Sequence, residues 1–429
     1  MQVTRLSSLL LLTAVIAIGL YQRPARAADP PAKAPNVKPV VIDAAKYPNL
    51  QAAFDAVPEG GGLVKLPPGD FKLTAPLVLS RGDTRVEGSG AATKLLNCNQ
   101  EGQPALIIRP SNLTADPKAR LWRVQLADFR ICGDPKAINN KSTEPKSGDG
   151  IQATNIDEIY LQGMTIDHNG ANGVNLIRCY EDPRIADCIF TYNRQAGVNI
   201  KGGHDIVVNA NHFEENQDAL RCIDSYNLCM NGNNIDDHLR HGVVIENTYG
   251  SVLSGNMIEE CQGMAVILDR DCYGVTISAN VLADDFGGGV DLRDAWGCTV
   301  SANTFVIDPV LGVRVGPNSG RITITGNNFS DSYVGEKTRR VGKPNLATGI
   351  ILEATSDITV SGNVFSGLDG QAVAACAKCK RLVITGNVVV DVKRGDTPRK
   401  PPLDVAAAKD SIVEQNIVTQ QTEPTPPAK

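Results

Sequence analysis

The feature that most constrains this chain is an asparagine that returns at a nearly fixed interval. Asn211, Asn233, Asn256, Asn280, Asn303, Asn327, Asn363 and Asn387 are separated by 22, 23, 24, 23, 24, 36 and 24 residues. Most share a setting, as in Gly255-Asn256-Met257-Ile258, Ala279-Asn280-Val281-Leu282 and Gly362-Asn363-Val364-Phe365. Two weaker copies, anchored at Met164 and Asp187, extend the series upstream. A period of this size means one structural unit per repeat, each stacked on the next. Apolar residues alternate before the anchor, as in Ile206 and Val208, Val275 and Ile277, Ile322 and Ile324. Another follows two residues after it: Phe213, Ile258, Leu282, Phe305, Phe329, Phe365. Alternation with β-branched residues is strand patterning. The unit is too short for a helix plus strands, lacks the leucine density of leucine-rich repeats, and falls short of the roughly 40 residues of a propeller blade. One turn of a parallel β-solenoid fits. The anchor asparagine is expected to be a stacked turn residue, tolerating left-handed backbone and bonding through its amide to the next copy.

Two segments break the period: a polar insertion at 133–149, and a basic one at 331–347 with Lys337, Arg339, Arg340 and Lys343. Long loops on a regular scaffold often carry function. The Pro-rich end is expected to be disordered over about the last ten residues, 421–429 forming a tail.

The N-terminus reads as a secretory signal. Arg5 precedes an apolar run from Leu9 to Leu20, and Ala25-Arg26-Ala27 supplies the small residues of a cleavage site. The run is short for a membrane span, which needs about 20 residues. The expectation is cleavage after Ala27, a linker over 28–42, a single domain over 43–420, and a secreted or periplasmic protein with no stable membrane insertion. The formal charge of −5 becomes −8 once Arg5, Arg23 and Arg26 are removed. Such a surface argues against nucleic acid as a partner. The 11 cysteines are an odd number and read mostly as small core residues, with room for one or two disulfides. Cys376-Ala-Lys-Cys379 is a CxxC pair with no second pair or nearby histidine to complete a zinc site.

The open end of a solenoid must be covered. Pro48 and Asn49 start a helix in which Leu50, Ala53, Phe54 and Val57 make one apolar stripe, ended by Gly60-Gly61-Gly62. The strand Leu63-Val64-Lys65-Leu66 and the turn Pro67-Pro68-Gly69-Asp70 follow. This stretch, YPNLQAAFDAVPEGGGLVKLPPGDFKL, resembles the capping segment of the pectate-lyase-like right-handed parallel β-helix superfamily. The resemblance covers about 43–420 and implies an all-β right-handed parallel β-helix with an N-terminal capping helix. It is loose for activity, because the fold hosts lyases, hydrolases, epimerases, adhesins and metal-delivery proteins.

Aligned on their anchors, the repeats place GVNLIRCY (173–180), GVNIKGGH (197–204), ALRCIDSY (219–226), GVVIENTY (242–249), VILDRDCY (266–273) and GVDLRDAW (289–296) side by side. One column is aromatic or His: Tyr180, His204, Tyr226, Tyr249, Tyr273 and Trp296. In a chain only 5% aromatic, these rings are either a platform for sugars or a structural stack at a coil corner. The preceding strand carries Asn175, Asn199, Lys201, Arg221, Glu246, Asp269, Asp271, Asp291 and Arg293, flanked by Asp224, Asn247, Arg270 and Asp294. The equivalent strands at 350–353 and 373–375 are mostly apolar, so polarity concentrates on the middle coils.

The expected function is action on an extracellular, anionic polysaccharide. A lyase needs a base and a cation to neutralise the uronate. Lys201 and Arg221, 20 residues apart, take these roles, in an arrangement that resembles alginate- and chondroitin-type β-helix lyases. Such a lysine needs a lowered pKa, toward which Arg221 pushes. Calcium, where such enzymes use it, would take oxygens from Asn199, Asp224 and Glu246, with Asn175. A hydrolase needs two carboxylates, and Asp269, Asp271, Asp285, Asp291 and Asp294 are available. The polygalacturonase pattern is unmet: Asp284-Asp285 is a paired acid, but Gly203-His204-Asp205 stands for Gly-His-Gly. A uronate epimerase would show Asp-Pro-His, where only Asp236-Asp237-His238 occurs. A non-catalytic glycan binder or structural surface protein is the further alternative. Metal delivery fits poorly, since His168, His204, His212, His238 and His241 cluster only at the last two.

Overall fold

In a computed structural model the alternating segments close into coils. The structure describes residues 40–134, 145–331, 346–392 and 400–419. The expected signal at 1–27, most of the expected linker at 28–42, the greater part of both insertions (Lys337, Arg339, Arg340 and Lys343 included) and the expected tail at 421–429 lie outside the described residues.

Each middle coil carries three short strands. In one coil they are Ala196–Lys201, Val207–Asn209 and His212–Glu214. In the next they are Asp218–Ile223, Cys229–Asn231 and Asn234–Asp236. Each strand pairs in parallel with its counterpart one coil on. The first strands, from Leu77–Leu79 to Leu403–Asp404, form a 13-stranded sheet, and the second and third strands belong to a 29-stranded one. The fold is a right-handed parallel β-helix.

Alternation along the strand decides what faces inward. Val198, Leu220, Val243, Val266, Val290, Val313, Ile350 and Val373 stand in register on successive first strands, and all are sealed from solvent. Burying each stabilises by roughly 1.5–3 kcal/mol. On the third strands Phe305, Phe329 and Phe365 stack with centroids 4.5 and 4.7 Å apart. At the N-terminal end lies a helix, Leu50–Asp55, with Leu50, Ala53 and Phe54 buried. Asn49 caps it by accepting the Ala52 N–H at 2.9 Å. The Gln51 side chain exchanges two hydrogen bonds with the Val78 backbone, at 3.0 and 2.8 Å, tying the helix to the first strand of the 13-stranded sheet.

The anchor asparagines form a continuous ladder. Asn280 shows the unit: its Nδ2 donates to Asn303 Oδ1 (3.0 Å) and to the Leu253 carbonyl (3.1 Å), while its Oδ1 accepts from Asn256 Nδ2 (2.9 Å) and the Asn256 backbone N–H (3.0 Å). The pattern runs from Asn211 to Asn416. Two expectations need correction. The left-handed residue is the one before each asparagine, as at Ala210, Gly232, Ala279 and Gly326, so the asparagine serves by hydrogen bonding and a small neighbour takes the turn. Upstream, the ladder position is Cys188 and not Asp187: the Cys188 N–H donates to Asn211 Oδ1 at 3.0 Å, and Asp187 is the left-handed residue before it.

A second ladder, unnoticed in the sequence, runs along the end of the third strands. Asn169, Asn193 and Asn216 bond amide to amide at 2.9 and 2.8 Å. His238 Nδ1 then lies 3.2 Å from both the backbone N and the carbonyl O of Asn216, and further on Asp285 Oδ1 takes the Cys261 N–H at 3.1 Å and Asp308 Oδ1 the Asp285 N–H at 3.3 Å. All 11 cysteines are free thiols and eight are buried, so no disulfide joins them.

Candidate functional site

Outward-facing residues of the first strands also stand in register. One column reads Asn175, Asn199, Arg221, Val244, Ile267, Asp291, Arg314. Two residues further along the strand a second reads Ile177, Lys201, Ile223, Glu246, Asp269. The polar face is therefore real but divided. Val244 and Ile267, with Met264 and Leu311, make a covered apolar patch at its centre.

On one side of the patch lies Asp218, 0% exposed. Arg240 grips both its oxygens, Arg221 approaches at 3.3 Å, and the His241 N–H donates at 3.1 Å. Burial works to raise the Asp218 pKa, but the hydrogen bond and charge of Arg240, the His241 N–H and Arg221 hold it below its ordinary value. Arg221 also reaches Glu246 at 3.4 Å. Arg270 joins Glu246 (3.3 Å) to Asp224 (3.5 Å). On the other side Asp291, 1% exposed, is held by Arg314 at 2.9 and 2.7 Å and by Arg293 at 2.7 Å. Arg293 reaches Asp269 at 3.7 Å.

These contacts place each expected residue. Lys201 is exposed and makes no ion pair among the described residues. It is in register with Ile223, one coil from Arg221 and two residues further along the strand, which sets their Cα atoms roughly 8 Å apart. Arg221 is engaged by two carboxylates. Asp291 lies beneath arginines, and Asp285 lies inside the second ladder, so neither faces solvent. Asp269 is half-buried and in direct register with Glu246. The oxygens suggested for calcium do not converge. Asn199 donates to Asn175 at 3.0 Å, two coils from Glu246, whereas Asp224 and Glu246 meet on the Arg270 guanidinium. Sequence reasoning missed Asp218, Arg240 and Arg314. Arg314 was readable, since GVRV (312–315) aligns with GVDL (289–292) one coil further on. Asp218 replaces Ala196 in register at a position that the alignment left out.

The aromatic column lies on the corner after the first strand, with rings in contact from Tyr180 to Tyr249. His204, Tyr226, Tyr249 and Tyr273 pair in sequence through backbone bridges, and Tyr273 pairs with Trp296. Ring centroids lie 6.3 Å apart for Tyr180 and His204, 5.2 Å for His204 and Tyr226, and 5.4 Å for Tyr226 and Tyr249. An arginine closes each end: Arg120 sits 4.3 Å over Tyr180 and Arg321 5.9 Å from the Trp296 ring. Gly320 makes room for Trp296, since a Cβ there would lie 2.8 Å from the ring. Tyr226 and Tyr273 are about half exposed, at 47% and 50%. At a coil spacing of about 4.8 Å the six rings line some 24 Å of surface, roughly five coil steps.

Residues 184–340, a little over a third of the chain, match the family described as "Periplasmic copper-binding protein (NosD)". No curated protein matches the sequence. Among solved structures, DFA-IIIase from Arthrobacter chlorophenolicus A6 without its lid, in complex with GF2, superposes with a TM-score of 0.54 at 15% identity, over 88% of this chain and 99% of that one. A mutant of the same protein in complex with DFA-III gives 0.53 at 13% identity, over 87% and 98%. The A-module of the Azotobacter vinelandii mannuronan C-5 epimerase AlgE4 gives 0.49 at 14%, over 86% and 94%. At these identities the likeness to the two DFA-IIIase structures is one of fold.

The residues of the matched stretch do not compose a copper centre among the described residues. His204 bonds Asp205, His212 sits between Glu214 and Asn234, His238 is sealed in the second ladder, and His241 Nδ1 accepts the Met264 N–H. Cys188, Cys222, Cys261, Cys272 and Cys298 are buried. One group of three ligand-type side chains, Cys132, Asp167 and His168, has its atoms within 4.8 Å of one another, and it lies outside the match. There Arg130 already takes both Asp167 oxygens, at 2.7 and 2.6 Å.

Proposed function

We propose that this is an exported carbohydrate-active β-helix protein that lays an anionic polysaccharide along the aromatic corner and the adjoining outward column. The observation that carries the reading is the parallel course of the two. The partly exposed aromatic column from Tyr180 to Trp296 runs beside Lys201, Glu246, Asp269 and Arg293 over the same coils. Rings supply apolar area with polar edges, as pyranoside faces require. The signal-like N-terminus and the carbohydrate-active enzymes among the structural relatives support it. No helix of the described residues is long and apolar enough to cross a membrane.

For the chemistry, elimination at a uronate is the first reading. Lys201, the expected base, is exposed beside the rings and has no acidic partner among the described residues to hold its amine away from the proton next to a uronate carboxylate. Hydrolysis is the second, favoured by one observation: Glu246 and Asp269 stand in direct register on adjacent coils, their backbones about 4.8 Å apart, on the scale of the carboxyl separation of about 5 Å used by retaining glycosidases. The test is affinity electrophoresis of the mature protein through gels holding alginate, polygalacturonate or chondroitin sulfate, with and without calcium. Retardation by one of these, weakened in Tyr226→Ala, is expected. Equal mobility in all gels overturns the reading.

A further inference from the structure

The strip leaves one motif of the sequence unused. Cys376 and Cys379 lie on the corner between the strands Val373–Ala375 and Lys380–Thr385, well past the charged groups. The Cys379 N–H bonds back to the Cys376 carbonyl at 3.0 Å, closing a turn. The ends of such a turn lie within about 7 Å, and disulfide-linked Cα atoms are about 4.4–6.8 Å apart. The two Sγ atoms stand 3.8 Å apart.

The thiols are unequal. Cys376 is exposed and Cys379 is buried. Ala354, held in left-handed backbone at φ 53°, aims its N–H at Cys376 Sγ from 3.1 Å. Cys379 Sγ also lies 3.3 Å from the Leu352 carbonyl. Some burial works against ionising Cys376, but hydrogen bonds from the Lys378 and Ala354 backbone and from Cys379 outweigh it and hold its pKa below the usual thiol value. Burial pushes Cys379 up. Elsewhere burial raises Cys132, Cys179, Cys188 and Cys272 to about 12. Of the remaining thiols, only Cys98 and Cys229 are even half-exposed.

We propose that Cys376 and Cys379 are a redox-active dithiol that exchanges electrons with disulfide compounds, Cys376 attacking and Cys379 resolving. The Cys376 thiolate attacks one sulfur of the external disulfide and expels the other half as a thiolate, giving a mixed disulfide. Cys379 then loses its proton, attacks Cys376 Sγ and expels the second half. The external disulfide ends as two thiols, and the protein pair is oxidised to one disulfide. The ring closed spans only four residues, 376–379, so the bond constrains the unfolded chain little and its consequence is chemical. An exposed, hydrogen-bonded thiolate beside a buried partner is the arrangement such exchange requires.

The experiment treats the folded full chain with oxidised glutathione, quenches with acid and maps the peptides by mass. The expected result is a Cys376–Cys379 disulfide in the wild type, with the seven other buried cysteines still reduced. Cys379→Ser is expected to stop at a glutathione adduct on Cys376, and Cys376→Ser to take up none at Cys379. Circular dichroism confirms that both variants are folded. Alkylation of native protein gives an independent reading, with Cys376 expected to react severalfold faster than Cys98 or Cys229. The proposal is overturned if the pair stays reduced, if a folded Cys379→Ser carries no adduct, or if Cys376 is alkylated no faster than those two.

Discussion

Asp308 accepts the backbone N–H of Asp285 at 3.3 Å through one carboxyl oxygen, and the second oxygen of each carboxyl has no partner among the described residues. Both acids occupy places in a ladder that begins with Asn169, Asn193 and Asn216. An amide there has an N–H₂ to offer, whereas a carboxylate has none. Burial first, and then the negative charge of neighbouring acids, push both pKa values well above the ordinary range. A protonated carboxyl restores one donor.

The first prediction follows from that shift. A carboxyl raised in the folded state gives its full stability below the ordinary pKa of about 4 and loses it as pH rises toward the folded value. Asp285→Asn is therefore expected to stabilise the protein at neutral pH by about 1–3 kcal/mol, the cost of an unsatisfied buried polar group. The gain should shrink near pH ~4. Thermal unfolding of both proteins at the two pH values checks this, and a neutral-pH loss in a folded variant would contradict it.

His238 gives the opposite slope. Burial lowers its pKa from 6.5 to about 4, with the Asn216 carbonyl and Asp218 opposing. A histidine depressed in the folded state keeps its stability above pH 6.5 and loses it as pH falls toward 4. His238→Asn, which restores the residue type of the ladder below it, is expected to remove that loss. The ratio of unfolding midpoints at neutral and mildly acid pH, compared with wild type, reads it out.

Asn280→Ala removes four hydrogen bonds, taking the side-chain acceptor from the buried Asn256 backbone N–H and the Asn280 donor from the Leu253 carbonyl. A loss of about 3–4 kcal/mol is expected in denaturant titration. A loss below about 1 kcal/mol, the scale of a surface substitution, would show that the ladder is dispensable.

How much of this was readable in the sequence depends on what repeats. Asn211 to Asn387 recur with one residue type, so the coil, its length and its register were visible, and so was the ring column from Tyr180 to Trp296. The second ladder was hidden because its positions change chemistry: Asn216, His238, Cys261 and Asp285 play one structural part with four side chains. The charged face was visible as composition only. That Asp218 and Asp291 would be sealed beneath Arg240 and Arg314, rather than open to substrate, depends on which side chains meet across coils. No period encodes that.

For the aromatic corner, Tyr226→Ala is expected to raise the Kd for the bound polysaccharide roughly tenfold, about 1.4 kcal/mol. Tyr226→Phe should stay close to wild type, because the stack on His204 and Tyr249 is kept. Titration calorimetry decides it. An unchanged Kd with a lowered unfolding midpoint would make the column purely structural.

The most direct test of the central claim follows the ultraviolet absorbance of unsaturated uronate while mature protein is incubated with alginate, polygalacturonate and chondroitin sulfate, wild type beside Lys201→Ala and Asp269→Asn. The account predicts a rise on one substrate that Lys201→Ala abolishes. Reducing ends released without that absorbance, and lost in Asp269→Asn alone, would move the chemistry to hydrolysis. No product from any substrate, by either assay, would contradict the claim that this strip is catalytic.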